Sequence, residues 1–387
     1  MTGLGFDQQY MALALRLAAK GRGRTSPNPM VGAVVVAGNR IVGQGYHRRA
    51  GGPHAEILAL RAAGRRSRGA ALYITLEPCC HEGKRTPPCV PALIESGLRR
   101  VVVAMQDPNP SVSGRGISLL RRAGMRVSVG CLRREAEQLN ETYCHWMRTG
   151  RPYVFLKAAM TLDGKIAAAS GESRWITGVE ARRDAHRMRS QVDAIMVGVG
   201  TILKDDPLLT ARPVGRAGGA TGPRQPLRVV LDSRLRTPEQ ARVLSLEKGT
   251  GSPSSTLIVT TEMASKRRIE RLRARGISVL VLPARNGRVS LSACLHRLGQ
   301  LGVSSVMIEG GGELNATVLR EKLVDRVRLY VAPRLLGGRE SKGVIGGYSP
   351  RRLTEAVPLT DMQTKRIGRD LLIEGRIATK PRLIRTK

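Results

Sequence analysis

The sequence predicts two consecutive α/β domains. Three observations carry that prediction: a length of 387 residues, an apolar content of 41%, and short β-branched runs alternating with helix-period segments in both halves. A chain of this length exceeds one ordinary core, and the apolar content is enough for two. The expected boundaries are 1–148 for the first domain, 149–378 for the second and 379–387 for a basic tail, with "HWMRTGRP" at 145–152 as the linker.

In the first half, Tyr10, Leu13, Ala14, Leu17 and Ala18 recur at i, i+3, i+4, i+7 and i+8, which predicts a helix, with Asp7 placed to cap it. After the turn "SPNP", the runs "VGAVVVAG" and "RIVGQGYH" read as strands. The segment "HAEILALRAAG" reads as a helix stopped by Gly64, and "GAALYITLEP" as a third strand. A Cys-rich loop follows, then a short helix "PALIESG", a strand "RVVVAM", a helix from Gly116 to Ala123 and a strand "MRVSVG".

The second half opens with "PYVFLKAAMTLDGKIA" and "DAIMVGVGT" around a helix from Glu180 to Gln191. The apolar runs "LRVVLD", "TLIVTT" and "SVLVLP" predict strands, and a helix is expected from Leu291 to Gln300. "SSVMIEGGGELNATVLREKL" reads as strand, glycine turn and helix. Glycines let a ligand approach the backbone and a helix N-terminus attracts phosphate, so a nucleotide pyrophosphate suits this turn, although a plain tight turn would share the pattern. The stretch from Arg212 to Pro226 is rich in Gly and Pro and reads as an exposed loop.

Composition narrows the function classes. No run of 18 apolar residues occurs, and the N-terminus lacks a basic start and a signal-type cleavage site, so a cytoplasmic protein without a membrane partner is expected. The net charge of +35 invites a nucleic-acid reading or an anionic substrate. Against nucleic acid, the basic residues are spread along the chain in short pairs such as Arg99-Arg100, Arg121-Arg122 and Arg133-Arg134, which suit solvated helix faces, and aromatic residues are only 3%. A small-molecule partner is therefore expected, with self-association left open.

Six cysteines, half of them inside "PCCHEGKRTPPC" at 78–89, make a poor disulfide framework and a better metal site. Upstream lies His54-Ala55-Glu56. Residues i and i+2 on a regular helix diverge by about 200°, so both can face one site only where a helix begins. His-x-Glu followed by Pro-Cys and a later Cys is the pattern of zinc deaminases, with one His and two Cys on the ion and the Glu moving protons. This makes His54, Cys79 and Cys89 the candidate ligands and Glu56 the catalytic acid/base, with Cys79 expected at a helix N-terminus. A closed structural site that includes Cys80, a Cys79-Cys80 redox pair, and His81 as the nitrogen ligand are the alternatives. The cysteines have nine residues between them, including Pro87-Pro88, so no continuous helix bridges them and the intervening residues must loop out.

These motifs together resemble the bifunctional deaminase/reductase family of riboflavin biosynthesis. The resemblance rests on "PNPMVGAVVV", "GYHRRAGGPHAEILAL", "TLEPCCHEGKRTPPC", "MQDPNPSVSGRGI", "LKAAMTLDGKIA", "GESRWITG", "GVGTILKDDPLLTAR", "VVLDS" and "IEGGGELN", in order along nearly the whole chain. It implies a cytidine-deaminase-like α/β/α sandwich followed by a dihydrofolate-reductase-like α/β domain. It also implies zinc, NADPH and a phosphoribosyl pyrimidine substrate that is first deaminated and then reduced in its sugar. By the same resemblance Asn28, His47, Lys84, Asp107 and Asn109 hold the substrate of the first step, and Ser173, Arg189, Leu209, Arg212 and Glu309 that of the second. NADPH is expected on Ala159, Trp175, Thr201, Asp205 and Ser233 and on the turn residues Gly311, Gly312, Glu313, Leu314, Asn315, Ala316 and Thr317. Lys157 is the expected proton donor to the opened sugar, its bland alternative being a half-buried lysine that snorkels to solvent. One departure stands out: the loop between the zinc cysteines is a residue longer than is usual in the family, with Lys84-Arg85 where one basic residue is typical.

Overall fold

The computed structural model describes residues 5–81, 86–213, 222–245 and 255–378. Lys84, Arg85, most of the Gly/Pro-rich loop after Arg212 and the basic tail lie outside the described residues. The chain forms two compact units, Met1–Arg151 and Pro152–Lys387.

In chain order the first unit holds α1 (Phe6–Ala19), β1 (Gly32–Ala37), β2 (Arg40–Tyr46), α2 (Ala55–Ala63), β3 (Ala71–Ile74) and α3 (Cys89–Glu95). It continues with β4 (Arg100–Val103), α4 (Arg115–Arg122), β5 (Arg126–Val129), α5 (Arg133–Leu139) and α6 (Glu141–Thr149). Its sheet runs β2-β1-β3-β4-β5. β1 is antiparallel to both β2 and β3, while β3, β4 and β5 are parallel. Alternate residues of each strand point to opposite faces, and both faces are covered. Ala33, Val35, Leu72, Val101 and Val103 pack with Ala59, Leu93 and Leu120 of α2, α3 and α4. On the other face Val34, Val36, Tyr73 and Val102 pack with Met11, Ala14, Ala136 and Tyr143 of α1, α5 and α6. The result is an α/β/α sandwich.

Three local expectations are corrected. Asp7 does not cap α1: Gly5 holds that position, and Asp7 sits in the first turn, where it accepts hydrogen bonds from Tyr73 Oη at 2.8 Å and Arg100 Nη1 at 2.9 Å. These bonds, from a half-exposed ion pair and a tyrosine hydroxyl, draw the Asp7 side chain away from the helix end and link α1 to β3 and β4. Arg100 is accordingly a strand residue with a partner and not part of a solvated helix pair. The expected linker is helical through Thr149, because Tyr143 and Cys144 carry the apolar face of α6 into the core.

The second unit holds β6 (Tyr153–Thr161), β7 (Lys165–Ala167), α7 (Val179–Arg189), β8 (Ala194–Gly198), α8 (Val199–Asp205), β9 (Leu227–Leu231) and β10 (Thr256–Thr261). Then come α9 (Lys266–Ala274), β11 (Ser278–Leu282), β12 (Ala284–Arg285), β13 (Arg288–Val289), α10 (Leu291–Gln300) and β14 (Ser305–Ile308). The last elements are α11 (Gly312–Arg320), β15 (Arg326–Ala332), β16 (Lys342–Gly343), β17 (Leu359–Ile367) and β18 (Asp370–Ile377). Nine strands form one sheet, β11-β10-β9-β8-β14-β6-β15-β18-β17. The seven from β11 to β15 are parallel and the final hairpin is antiparallel. The parallel strands are near-continuous apolar runs, as a sheet covered on both faces requires. Their carboxyl ends open on one edge, where the loops carry polar and glycine residues.

Helix α1 approaches β1 closely enough that a Cβ on Gly32 would lie 2.0 Å from the Ala14 carbonyl oxygen and 2.8 Å from the Ala18 nitrogen. A Gly32→Ala substitution must push α1 off the sheet. It is expected to destabilise the N-terminal unit by about 1–3 kcal/mol, read as a shift in its urea unfolding midpoint.

Candidate active sites

The first site gathers where α2 begins. His54 is the N-cap residue of α2, with extended backbone, so its ring stands outside the helix while Glu56 in the first turn is buried. The strand β3 delivers the chain through Thr75 to Pro78 and Cys79. Cys79 is not at a helix N-terminus, contrary to the expectation; Cys89 is, as the first residue of α3. The amides of Cys89 and Val90 both donate to the Cys79 carbonyl, at 3.0 and 3.3 Å, which brings the two thiols together across the loop. His54 Nδ1 lies 3.1 Å from Cys89 Sγ and 3.5 Å from Cys79 Sγ. With a Glu56 carboxyl oxygen, these donor atoms all fall within 4.8 Å of one another.

One imidazole nitrogen and two thiols are the donors zinc prefers, and three of them leave a tetrahedral position open. Glu56 Oε2 is buried with no hydrogen-bond partner, and burial pushes its carboxyl above the usual range while His54 pulls the other way. An unsatisfied acid beside a three-donor set fits a catalytic metal site with a proton carrier rather than a closed structural one. Among the described residues neither Cys80 nor His81 belongs to the group, and Cys80 packs against the apolar cluster of the sheet.

Around this set, His47 is buried and its ring meets His54 edge-on at 5.3 Å. Its Nδ1 donates to the Pro53 carbonyl at 3.2 Å, so Nε2 is the acceptor for Asn28 Nδ2, also at 3.2 Å. Asp107 Oδ1 accepts from the Asn109 amide and from Tyr143 Oη, both at 2.9 Å, and burial raises its pKa to about 6. Of the expected substrate residues of the first step, only Lys84 lies outside the described residues.

Several supporting residues escaped the reading of the sequence. Thr86 Oγ1 stands 3.1 Å from His54 Nε2 and fixes the ring that presents Nδ1 to the thiols. Asn140 clasps Met30 through both its backbone groups, at 2.8 and 2.9 Å, and so holds the Asn28 segment. Buried Glu77 accepts from the amides of Asp107, Gly114 and Ile117 at 3.2, 2.9 and 3.2 Å, tying the Asp107 loop and the start of α4 to the strand that ends at Cys79. Its position directly before Pro78-Cys79 was the available signal. Glu77→Gln removes a charge from three charge-assisted bonds, and the N-terminal unit is expected to lose about 1.5–3 kcal/mol by urea unfolding.

The second site is a cleft of about 1770 Å³ along the carboxyl ends of the parallel strands in the second unit. That is larger than a single-ligand pocket, whose volume is about 300–1,000 Å³, and accommodates a dinucleotide beside a substrate. At its centre Glu309, directly after β14, receives Arg189 of α7 in a two-pronged pair, Nε to Oε1 at 2.8 Å and Nη2 to Oε2 at 2.9 Å. Lys157 of β6 stands 3.5 Å from Oε2 of the same carboxylate. Burial opposes ionisation of Glu309, but the charges of Arg189 and Lys157 outweigh it and hold the carboxyl far below its ordinary value.

Lys157, Ser173, Arg189 and Glu309 line the cleft, whereas the Leu209 side chain is in the core and Arg212 does not line it. Ala159, Trp175, Thr201, Asp205 and Ser233 line it too. Of the glycine turn and α11, the residues from Gly311 to Leu314 with Ala316 and Thr317 face the cleft; Asn315 is fully buried and donates to the Val344 carbonyl at 2.9 Å. A Cβ on Gly311 would meet nothing within 4 Å, so the start of α11 is open to a ligand.

Because the Glu309 carboxyl is depressed, the stability it contributes is complete above its ordinary value of 4.5 and is lost as pH falls below that. Glu309→Gln leaves Arg189 without its charge partner and is expected to cost about 3–5 kcal/mol at neutral pH, with the gap between variant and parent narrowing below pH 4.5 in urea titrations.

Comparison with known proteins agrees across both units. A model of the RibD C-terminal domain matches residues 152–373, and one of the cytidine and deoxycytidylate deaminase zinc-binding region matches residues 5–105. A riboflavin biosynthesis protein RibD of Actinobacillus pleuropneumoniae is 44% identical over 95% of this chain and 94% of its own. That of Escherichia coli is 43% identical over 95% and 98%. The solved RibD of Acinetobacter baumannii superposes with a TM-score of 0.87 at 36% identity, covering 97% of this chain and all of that one. A Thermotoga maritima structure, described as a diaminohydroxyphosphoribosylaminopyrimidine deaminase and 5-amino-6-(5-phosphoribosylamino)uracil reductase, gives 0.81 at 34% identity, covering 96% and 99%.

Proposed function

The chain belongs to the RibD family of riboflavin-biosynthesis deaminase/reductases, and from that premise we propose how its two sites divide the work. The enzyme removes the 2-amino group of 2,5-diamino-6-(5-phosphoribosylamino)pyrimidin-4(3H)-one by zinc-dependent hydrolysis. It then reduces the ribosyl side chain to ribityl with NADPH. The observation that carries the reading is the pairing, in one chain, of a His-Cys-Cys set beside an unpartnered glutamate with a dinucleotide-sized cleft that ends on an open glycine turn.

In the first unit His54, Cys79 and Cys89 would hold zinc, which would supply a Lewis acid that activates water. Glu56 would take one proton from the attacking water and give it to the ring nitrogen, and then carry the second proton of that water to the amino group that leaves as ammonia. Asn28, His47, Asp107 and Asn109 orient the pyrimidine and its ribose phosphate, with Lys84 as the cation for the phosphate. Because His47 Nε2 is occupied by the Asn28 amide, the Asn28 carbonyl oxygen is left to accept from the ring.

In the second unit bound NADPH would supply the hydride that the sugar carbon receives. Ala159, Trp175, Thr201, Asp205, Ser233 and the 311–317 turn hold the cofactor, while Ser173, Arg189 and Glu309, with the backbone of Leu209 and with Arg212, hold the substrate. Lys157, paired with Glu309, would give the proton that balances the hydride at the sugar oxygen. The unit boundary near residue 149 separates the two activities. We take the partner to be this small molecule rather than nucleic acid, since the aromatic side chains that would stack bases are only 3% of the chain. No helix of the described residues is long and apolar enough to cross a membrane, and a cytoplasmic location fits the reading.

Mass spectrometry of the purified protein with the diaminopyrimidine phosphate, with and without NADPH, tests the reading. The deaminated product should form without NADPH and the ribityl product only with it. Glu56→Gln should keep about one zinc per chain and lose ammonia release by at least about a hundredfold. Lys157→Ala should spare deamination and abolish NADPH oxidation. Ammonia release that survives in Glu56→Gln would overturn the first assignment, and reduction that survives in Lys157→Ala the second.

A further inference from the structure

Helix α6 is the last element of the first unit, and its first turn sends two buried polar side chains toward the first site. Asn140, the residue before the helix, is 1% exposed, and Tyr143, its third residue, is 8% exposed. Asparagine is favoured before a helix because its side chain satisfies a free helix amide. Asn140 makes no such bond. Its Oδ1 accepts from the Met30 amide at 2.8 Å and its Nδ2 donates to the Met30 carbonyl at 2.9 Å. A capping residue whose side chain is withheld from its own helix and given to a segment 110 residues away serves that segment.

Met30 is joined to Asn28 by Pro29, whose ring fixes its φ, so a clamp on Met30 sets the Asn28 backbone through one stiff residue. The next residue, Val31, accepts at its carbonyl from the His47 amide at 2.9 Å. Asn28 and His47, already joined side chain to side chain, therefore hang from the clamp together. Tyr143 acts on the opposite wall. Its Oη donates to Asp107 Oδ1 at 2.9 Å, and the Asn109 amide donates to the same oxygen at 2.9 Å. The Asp107 amide is tied separately, to Glu77 Oε2 at 3.2 Å. With both donors on Oδ1, Oδ2 accepts from none of the described residues and is the oxygen left for a ligand.

Sheet topology explains why one helix turn reaches both walls. β1 is antiparallel to β3 and β3 is parallel to β4, so the entry to β1 lies at the same edge as the exits of β3 and β4. β3 alone separates β1 from β4, which puts those two chain ends about 10 Å apart, and β3 delivers Cys79 between them. Asn140 and Tyr143, three residues apart, share a helix face and take one wall each. An amide on one wall and a carboxylate on the other grip one small molecule only at a fixed separation, since hydrogen bonds weaken steeply away from their preferred distance and angle. Resting on the deaminase reading above, we propose that Asn140 and Tyr143 are positioning residues that set the width of the pyrimidine site. Through them α6 presents the Asn28 amide and Asp107 Oδ2 to the substrate from its two sides.

The test is steady-state ammonia release by the full chain, with NADPH oxidation on separately supplied deaminated substrate as the internal control. Tyr143→Phe is the deciding variant, because it removes one oxygen and leaves the ring in the core. It should raise KM for the diaminopyrimidine phosphate about tenfold and keep kcat within about twofold of the parent, since the lost contact is made equally before and during the reaction. Asn140→Ala should show the same split. Zinc content and NADPH oxidation should stay at parent values in Tyr143→Phe. An unchanged KM in that variant, a loss that falls on kcat alone, or equal losses in both activities would sink the assignment. If the parent released no ammonia at all, the deaminase reading itself would fall.

Discussion

The structure depends on carboxyl groups taken out of water at the carboxyl ends of parallel strands. Each such burial costs several kcal/mol unless it is repaid by hydrogen bonds or an opposite charge, and the chain repays each one differently. Glu77 after β3 is satisfied by three amides, Glu309 after β14 by a guanidinium and an ammonium, and Asp232 after β9 by a threonine two ways. Each acid thereby fixes the loop that follows or faces its strand, and it is from those loops that the chemistry is assembled. Glu56 differs in its setting, since its unpartnered Oε2 lies beside the His54, Cys79 and Cys89 donors. An unsatisfied acid next to such a donor set is available to move a proton.

The two units reach their sites by different routes. In the first, ligands converge from a helix start and from a loop clamped at its base, so the site is fixed by local backbone geometry. In the second, the groups come from β6, α7 and the end of β14, so the site is fixed by sheet register and long-range ion pairing. The first arrangement is readable from short motifs; the second is not.

That difference explains how much could be read from the sequence. Both α/β units, most strands and helices and the His54, Glu56, Cys79, Cys89 group follow from periodicity and from the His-x-Glu and Pro-Cys patterns. Cys89 rather than Cys79 opening a helix was hidden because the Pro87-Pro88 pair reads as a break and also serves as a helix entrance. Asp7 was misread because its partners, Tyr73 and Arg100, are far away in sequence. Arg189, Lys157 and Glu309 meet only after strand pairing, so their positions were nameable by family resemblance but their mutual geometry was not. Asn140 and Tyr143 carried no local signal at all, since each acts on a segment more than 30 residues away.

The double hydrogen bond from Cys89 and Val90 to the Cys79 carbonyl bears on how this family varies. It closes the segment between the thiols at its base, so the metal donors are set by the two ends and not by what lies between them. Lengthening such a loop from eight intervening residues to the nine found here changes its closure entropy by only about 0.1 kcal/mol. The segment is thus a place where residues can be inserted or exchanged without moving the sulfurs, and selection on it is free to follow the substrate rather than the ion.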